Sequence, residues 1–162
     1  MIPNKIIRFL EERANLGFAG TRDAALVPVG HRVSAWQVDA AGRALTAFMR
    51  PFSEARLLES LRENGAIALT IGEVTTHETY QIKGRYLSHR PVQGVEAELA
   101  DQTRDRLAKT LHALYHDERI DPFVRASIPA PTLAVAVEVT EVFVQTPGPG
   151  AGERIAPPPD AR

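Results

Sequence analysis

Apolar and polar side chains alternate at every second position along much of the chain, the mark of strands buried on one face. Over 26–38, Val27, Val29, Val33 and Ala35 fall on one face with His31 among them, and Arg32, Ser34 and Trp36 fall on the other. Pro28 and Gly30 place an edge entry or a bulge at the start of this strand. Asp39-Ala40-Ala41-Gly42 is a turn, and 43–49 returns as the second arm of a hairpin. Ile67, Leu69 and Ile71 line one face of 66–72. Over 78–88, Tyr80, Ile82 and Tyr86 face one way, while Thr79, Gln81, Lys83 and Arg85 form a polar face. Gly84 marks a bulge or a close backbone approach. A short first strand over 16–20, with Thr21-Arg22-Asp23 as its turn, and a valine-rich last strand over 132–145 complete the set.

Three segments carry helical spacing instead. Residues 3–14 place Ile6, Ile7 and Leu10 one turn apart, with Pro3 in the first turn and Asn15-Leu16-Gly17 as the stop. Ser53 caps a second helix, with Glu54 in its first turn, a Leu57, Leu58, Leu61 stripe, and Asn64-Gly65 at its end. Residues 95–116 form the longest helix, with Val95, Leu99, Leu107, Leu111 and Leu114 as its buried stripe. Asp121-Pro122 opens a loop that ends at Ala130-Pro131.

About six strands with two interrupting helices predict a mainly β fold, an antiparallel barrel with peripheral helices. Strict strand–helix alternation is missing, so a doubly wound parallel sheet is excluded. From Pro147 onward prolines and glycines replace any apolar period. The chain therefore divides into one domain, 1–146, and a flexible Pro/Gly-rich tail, 147–162.

Composition narrows the function classes. Nineteen basic residues stand against 20 acidic ones, a net charge of -1, so no basic excess serves nucleic-acid binding. No cysteine is present, which removes disulfides, thiolate metal sites and cysteine nucleophiles. The apolar run 133–137 is far too short to span a membrane, and Met1-Ile2-Pro3-Asn4-Lys5 lacks a signal-peptide layout, so a soluble cytoplasmic protein is expected.

Several groups of residues carry potential chemistry. Arg50-Pro51-Phe52-Ser53-Glu54-Ala55-Arg56 brings a strand end, a hydroxyl, a helix start and two guanidiniums together, a setting that suits phosphate but equally suits plain capping. The face of Thr79, Gln81, Lys83 and Arg85 meets either solvent or a polar planar ligand. His112 and His116, four apart, read as surface histidines near a helix end; Ala113 stands where a metalloprotease motif has glutamate. His31 and Ser34 hold no spacing that demands a nucleophile system. Gly148-Pro149-Gly150-Ala151-Gly152 opens no helix and is not a dinucleotide loop.

In chain order, Val27-Pro28-Val29-Gly30-His31-Arg32-Val33-Ser34-Ala35-Trp36, a hairpin, Phe52-Ser53-Glu54-Ala55-Arg56-Leu57-Leu58, Asn64-Gly65-Ala66-Ile67-Ala68-Leu69 and Thr79-Tyr80-Gln81-Ile82-Lys83-Gly84-Arg85 follow one another. This succession resembles the pyridoxamine 5'-phosphate oxidase-like family of FMN-binding split β-barrels. The resemblance implies a homodimer with FMN at the subunit interface and flavin-dependent oxidoreductase chemistry on an unspecified substrate. It implies that His31, Arg32, Val33 and Ser34 lie along the flavin. Arg50, Ser53 and Arg56 would serve the phosphate, and Thr79, Gln81 and Lys83 would reach the ring from the partner. His31 and Trp36 stand where the oxidase has arginine and lysine, and its C-terminal substrate residues have no counterpart, which points away from vitamin B6 oxidation. A non-catalytic flavin, deazaflavin or haem module, the last using His31 or His77, stays open, as does a barrel that serves only as an interaction domain.

Overall fold

The inward-facing apolar residues of six antiparallel strands share one interior, because the strands close on themselves. The structure is a computed structural model and describes residues 1–156. In chain order it runs α1 (Asn4–Glu12), β1 (Asn15–Arg22), β2 (Pro28–Val38), β3 (Ala44–Met49), α2 (Glu54–Asn64), β4 (Ala66–Glu73), β5 (Thr79–Pro91), α3 (Gly94–Tyr115), α4 (Ile120–Ser127), β6 (Leu133–Val144) and β7 (Arg154–Ala156). The strand order is β3-β2-β1-β4-β5-β6, and β3 pairs with β6 to close the barrel. The expected mainly β architecture, an antiparallel barrel with peripheral helices, is the observed one.

Helices close both ends. At one end α1 lies against the barrel interior through Ile6, Phe9 and Leu10; the Trp36 indole donates to the Leu10 carbonyl at 3.1 Å. At the other, α2 contributes Leu57, Leu58 and Leu61, and its Ser60 hydroxyl bonds the Thr21 hydroxyl at the end of β1. Outside the wall, α3 packs Ala100 onto Ala35, Phe48 and Ala134.

Four sequence expectations change. First, β2 does not alternate throughout. A bulge between Val33 and Ala35 resets the phase, so Val33 and Trp36 share the interior while Ala35 faces α3. Both Val33 and the Trp36 ring crowd Gly17, where an added Cβ would lie 2.8 Å from the indole.

Second, α3 is rotated from its expected stripe. Val95 and Leu114 are exposed, and the buried face is Glu96, Ala100, Arg104, Leu107 and Ala108. A small Ala100 lets the helix approach the wall, and both polar members find charged partners. Glu96 pairs with Arg90 and caps the helix through the Gln93 N–H. Arg104 pairs with Asp101 and donates to the Ile128 carbonyl.

Third, Asp121-Pro122 lies inside α4 rather than opening a loop; proline is tolerated in a first turn, where its missing N–H has no intrahelical partner. Fourth, the Pro/Gly-rich tail is not wholly irregular. Its turn closes through the Gly152 N–H on the Val144 carbonyl, and β7 then pairs with Val142 and Phe143. The tail residues 157–162 lie outside the described residues.

Gly84 behaves as its position in the pattern suggested. An added Cβ would overlap the Glu138 carbonyl and a Val137 methyl, beside a register shift between Lys83 and Gly84. Gly30, by contrast, has no atom within 4 Å of where a Cβ would stand. Gly84→Ala should therefore cost about 1–3 kcal/mol and lower the thermal midpoint by several degrees. Gly30→Ala should leave the midpoint close to wild type, and equal midpoints for the two variants would contradict the packing described at Gly84.

Candidate functional site

Because side chains alternate across each strand, residues two apart share a face, and the pairing register aligns them into rows around the barrel. One outward row runs from Arg32 on β2 to Phe18 on β1, Thr70 on β4, Gln81 on β5, Phe143 on β6 and Arg154 on β7. The neighbouring row holds Gly30, Gly20, Ala68, Lys83 and Glu141. The first row is bulky and cationic; the second begins with three residues that leave the backbone nearly bare.

This difference in side-chain size makes a groove of about 740 Å³. Gly20, Ala66 and Ala68 contribute its small residues, and Arg22, Asn64, Lys83, Arg85 and Glu141 its polar ones. The end of α2 fixes one border. Gly65 adopts a left-handed conformation at φ 65°, which turns the chain into β4. The Asn64 amide then donates to the Arg22 carbonyl at 2.7 Å, and its Oδ1 accepts from the Ala66 N–H at 2.9 Å.

Two of the cations on this face, Arg32 and Lys83, lie over aromatic rings rather than against carboxylates. The Arg32 guanidinium lies 4.3 Å from the Phe18 ring centroid, and the Lys83 ammonium lies 4.4 Å from that of Phe143. Burial lowers the Arg32 pKa from its ordinary value, and one of its terminal nitrogens is buried with no hydrogen-bond partner among the described residues. Gln81 donates to the Thr70 hydroxyl at 3.3 Å.

The expected site residues fall in four places. Arg32, Thr79, Gln81 and Lys83 lie on the outer face, Lys83 in the groove itself. His31 and Val33 are buried, opposite Ala19 and Gly17 on β1, facing the interior. Ser34 is buried and donates to the Pro129 carbonyl at 2.7 Å, so it forms no nucleophile pair with His31. At the start of α2, the Ser53 hydroxyl accepts from the Arg56 N–H at 3.3 Å, and Arg50 and Arg56 are exposed. That trio does not line the groove. His116 leaves α3 as its C-cap at φ 50°, one residue beyond the helix that carries His112.

Arg22, Asn64, Glu141 and Phe18 stand outside the sequence-based candidates, whereas Arg85 belongs to the polar face of Thr79, Gln81 and Lys83. Arg22 carries no such signal, because the pattern reads it as a turn rather than as the end of β1. Phe18 and Ala68 carry the opposite hydropathy from an ordinary outer face, and only the register places them beside the basic residues.

His31 titrates against the fold. Its two ring nitrogens are buried with no hydrogen-bond partner among the described residues, and burial holds its pKa below the ordinary value. The unfolded chain takes up this proton near pH 6.5 and the folded chain does not, so the contribution to stability is complete above about pH 6.5 and is lost as pH falls below it. Urea unfolding at pH 8 and pH 5 should show lower stability at the acid end, and His31→Leu should reduce the difference. An unchanged difference would contradict a neutral, interior His31.

No protein-family model and no curated protein matches the sequence. Solved structures do match over nearly the whole chain. HupZ of Group A Streptococcus aligns at 14% identity and a TM-score of 0.54, over 94% of this chain and 100% of that one. A pyridoxamine 5'-phosphate oxidase-related, FMN-binding protein of Nostoc punctiforme aligns at 11% identity and 0.51, over 97% and 98%. An F420 reductase aligns at 14% identity and 0.50, over 83% and 94%. At these identities the likeness is one of fold: the chain folds as the pyridoxamine 5'-phosphate oxidase-like split barrels do.

Proposed function

We propose that this chain binds a flavin-type cofactor, FMN, in the outer groove, with a second copy of the chain covering it. The observation that carries the reading is the groove: a floor of Gly20, Ala66 and Ala68 flat enough for a planar ring, beside Arg22, Lys83 and Arg85. Guanidinium and ammonium groups at that border suit a phosphate, and arginine does so through two parallel hydrogen bonds. The unpartnered Arg32 nitrogen is a further donor on the same face.

A bound flavin supplies hydride transfer, and the reading is of an oxidoreductase whose substrate is unassigned. The chain's own residues bind and orient. Gln81, Arg32 and Phe18 border the ring, and the cations hold the phosphate. Arg50, Ser53 and Arg56 of the second copy would approach from the start of its α2. Half-exposed Phe18 and fully exposed Phe52 are the apolar residues that such a contact would cover. A binding role without catalysis has one observation in its favour. The described groove lining holds no imidazole, and its one carboxylate, Glu141, is paired with Arg154.

The absorption spectrum of the purified protein separates flavin, deazaflavin and haem directly. Arg85→Ala should weaken FMN by about 1.5–3 kcal/mol, one to two decades, and riboflavin, which lacks the phosphate, far less. Arg56→Ala, titrated in parallel, should show the same contrast if the second copy's α2 joins the site. Equal losses for FMN and riboflavin in both variants would contradict the phosphate assignment. Sedimentation should give twice the 17.7 kDa chain mass, and a monomer that holds FMN tightly would contradict the shared site.

A further inference from the structure

Lys83 on β5 and Glu141 on β6 stand directly opposite each other. Opposite charges in that position normally pair across an antiparallel ladder. Here they do not. Glu141 Oε1 is held by Arg154 Nη2 at 3.3 Å, and the Lys83 ammonium turns instead to the face of Phe143. Arg154 reaches Glu141 because the tail folds back: the Val144 N–H donates to the Glu153 carbonyl at 2.9 Å, and β7 seats on the edge of β6. Its guanidinium also lies 5.9 Å from the Phe143 centroid, so the ring stands beside both cations. Glu141 is the one carboxylate among the described groove-lining residues.

We propose that Arg154 is a positioning residue for the groove: by drawing Glu141 aside, it leaves Lys83 free to meet the negative charge of the bound ligand. The inference rests on the flavin reading of the groove and deepens it. Without Arg154, the facing carboxylate turns to Lys83, and the groove loses one available cation. The tail thereby acts on a site whose described lining includes no residue of it. Both members of the Arg154–Glu141 pair are partly exposed, so the effect is modest and falls with salt.

The test uses the full chain with Arg154→Ala, Glu141→Gln and the double variant. One arm titrates FMN by fluorescence quenching. The other follows lysine acylation by acetic anhydride with peptide mass spectrometry; the chain has three lysines, so Lys5 and Lys109 are internal references for Lys83. Arg154→Ala should weaken FMN binding about two- to fivefold and slow Lys83 acylation by a similar factor, the size of an exposed charge pair. Adding Glu141→Gln should restore both. A loss of FMN binding that the double variant does not restore would overturn the proposal, because Arg154 would then touch the ligand itself or merely brace β7. Unchanged Lys83 acylation in Arg154→Ala would overturn it as well. If the wild-type chain takes up no FMN, the flavin reading fails, and the acylation comparison still decides whether Arg154 governs the Lys83–Glu141 pair.

Discussion

Barrel closure depends on β6. Its first half, from Leu133 to Glu138, pairs with β3, while its whole length follows β5 through two register shifts. Val135, Val137 and Val142 turn inward and are fully buried. A valine-rich strand suits this double duty, because branched side chains pack well on a pleated surface. Since β3 is only half as long, the far half of β6 keeps a free edge, and β7 takes part of it. β6 therefore joins the two ends of the strand order, and its free half leaves an edge where the tail docks.

The same alternation that fills the interior builds the outer face. His31 and Arg32 are consecutive, yet one is sealed inside and the other lies over Phe18 outside. Inside, apolar contact dominates and a polar ring is a liability. Outside, aromatic rings hold cations in place without neutralising them, which keeps those charges available to a ligand. Carboxylates would hold them more firmly and cancel them. Small residues on the adjoining row then convert a flat wall into a groove.

Much of this was legible in the sequence where one local rule decided the outcome. Ser53 caps α2, Gly65 ends it, and Ile67, Leu69 and Ile71 face inward, because capping, left-handed glycine and period-two alternation are local facts. Errors arose where distant contacts chose. The bulge in β2 moved Trp36 to the interior, and Ala100 rather than Val95 faced the wall because Ala35, Phe48 and Ala134 left room for a small side chain. Asp121-Pro122 reads as a loop opening in the sequence, yet Pro122 sits in the first turn of α4. The groove was the least legible feature. It joins residues of β1, β4, β5 and β6, and nothing local in Arg22 or Ala68 announces that Lys83 and Arg85 lie beside them.

If a flavin binds this chain as proposed, it sits in the outer groove and on no other surface. Amide shift mapping by NMR during an FMN titration tests it most directly. The account predicts that the largest perturbations cluster at Gly20, Ala66, Ala68 and Lys83, with the buried interior strand faces and α4 unaffected. Perturbations centred between α3 and α4, or an unchanged spectrum at saturating FMN, would contradict it.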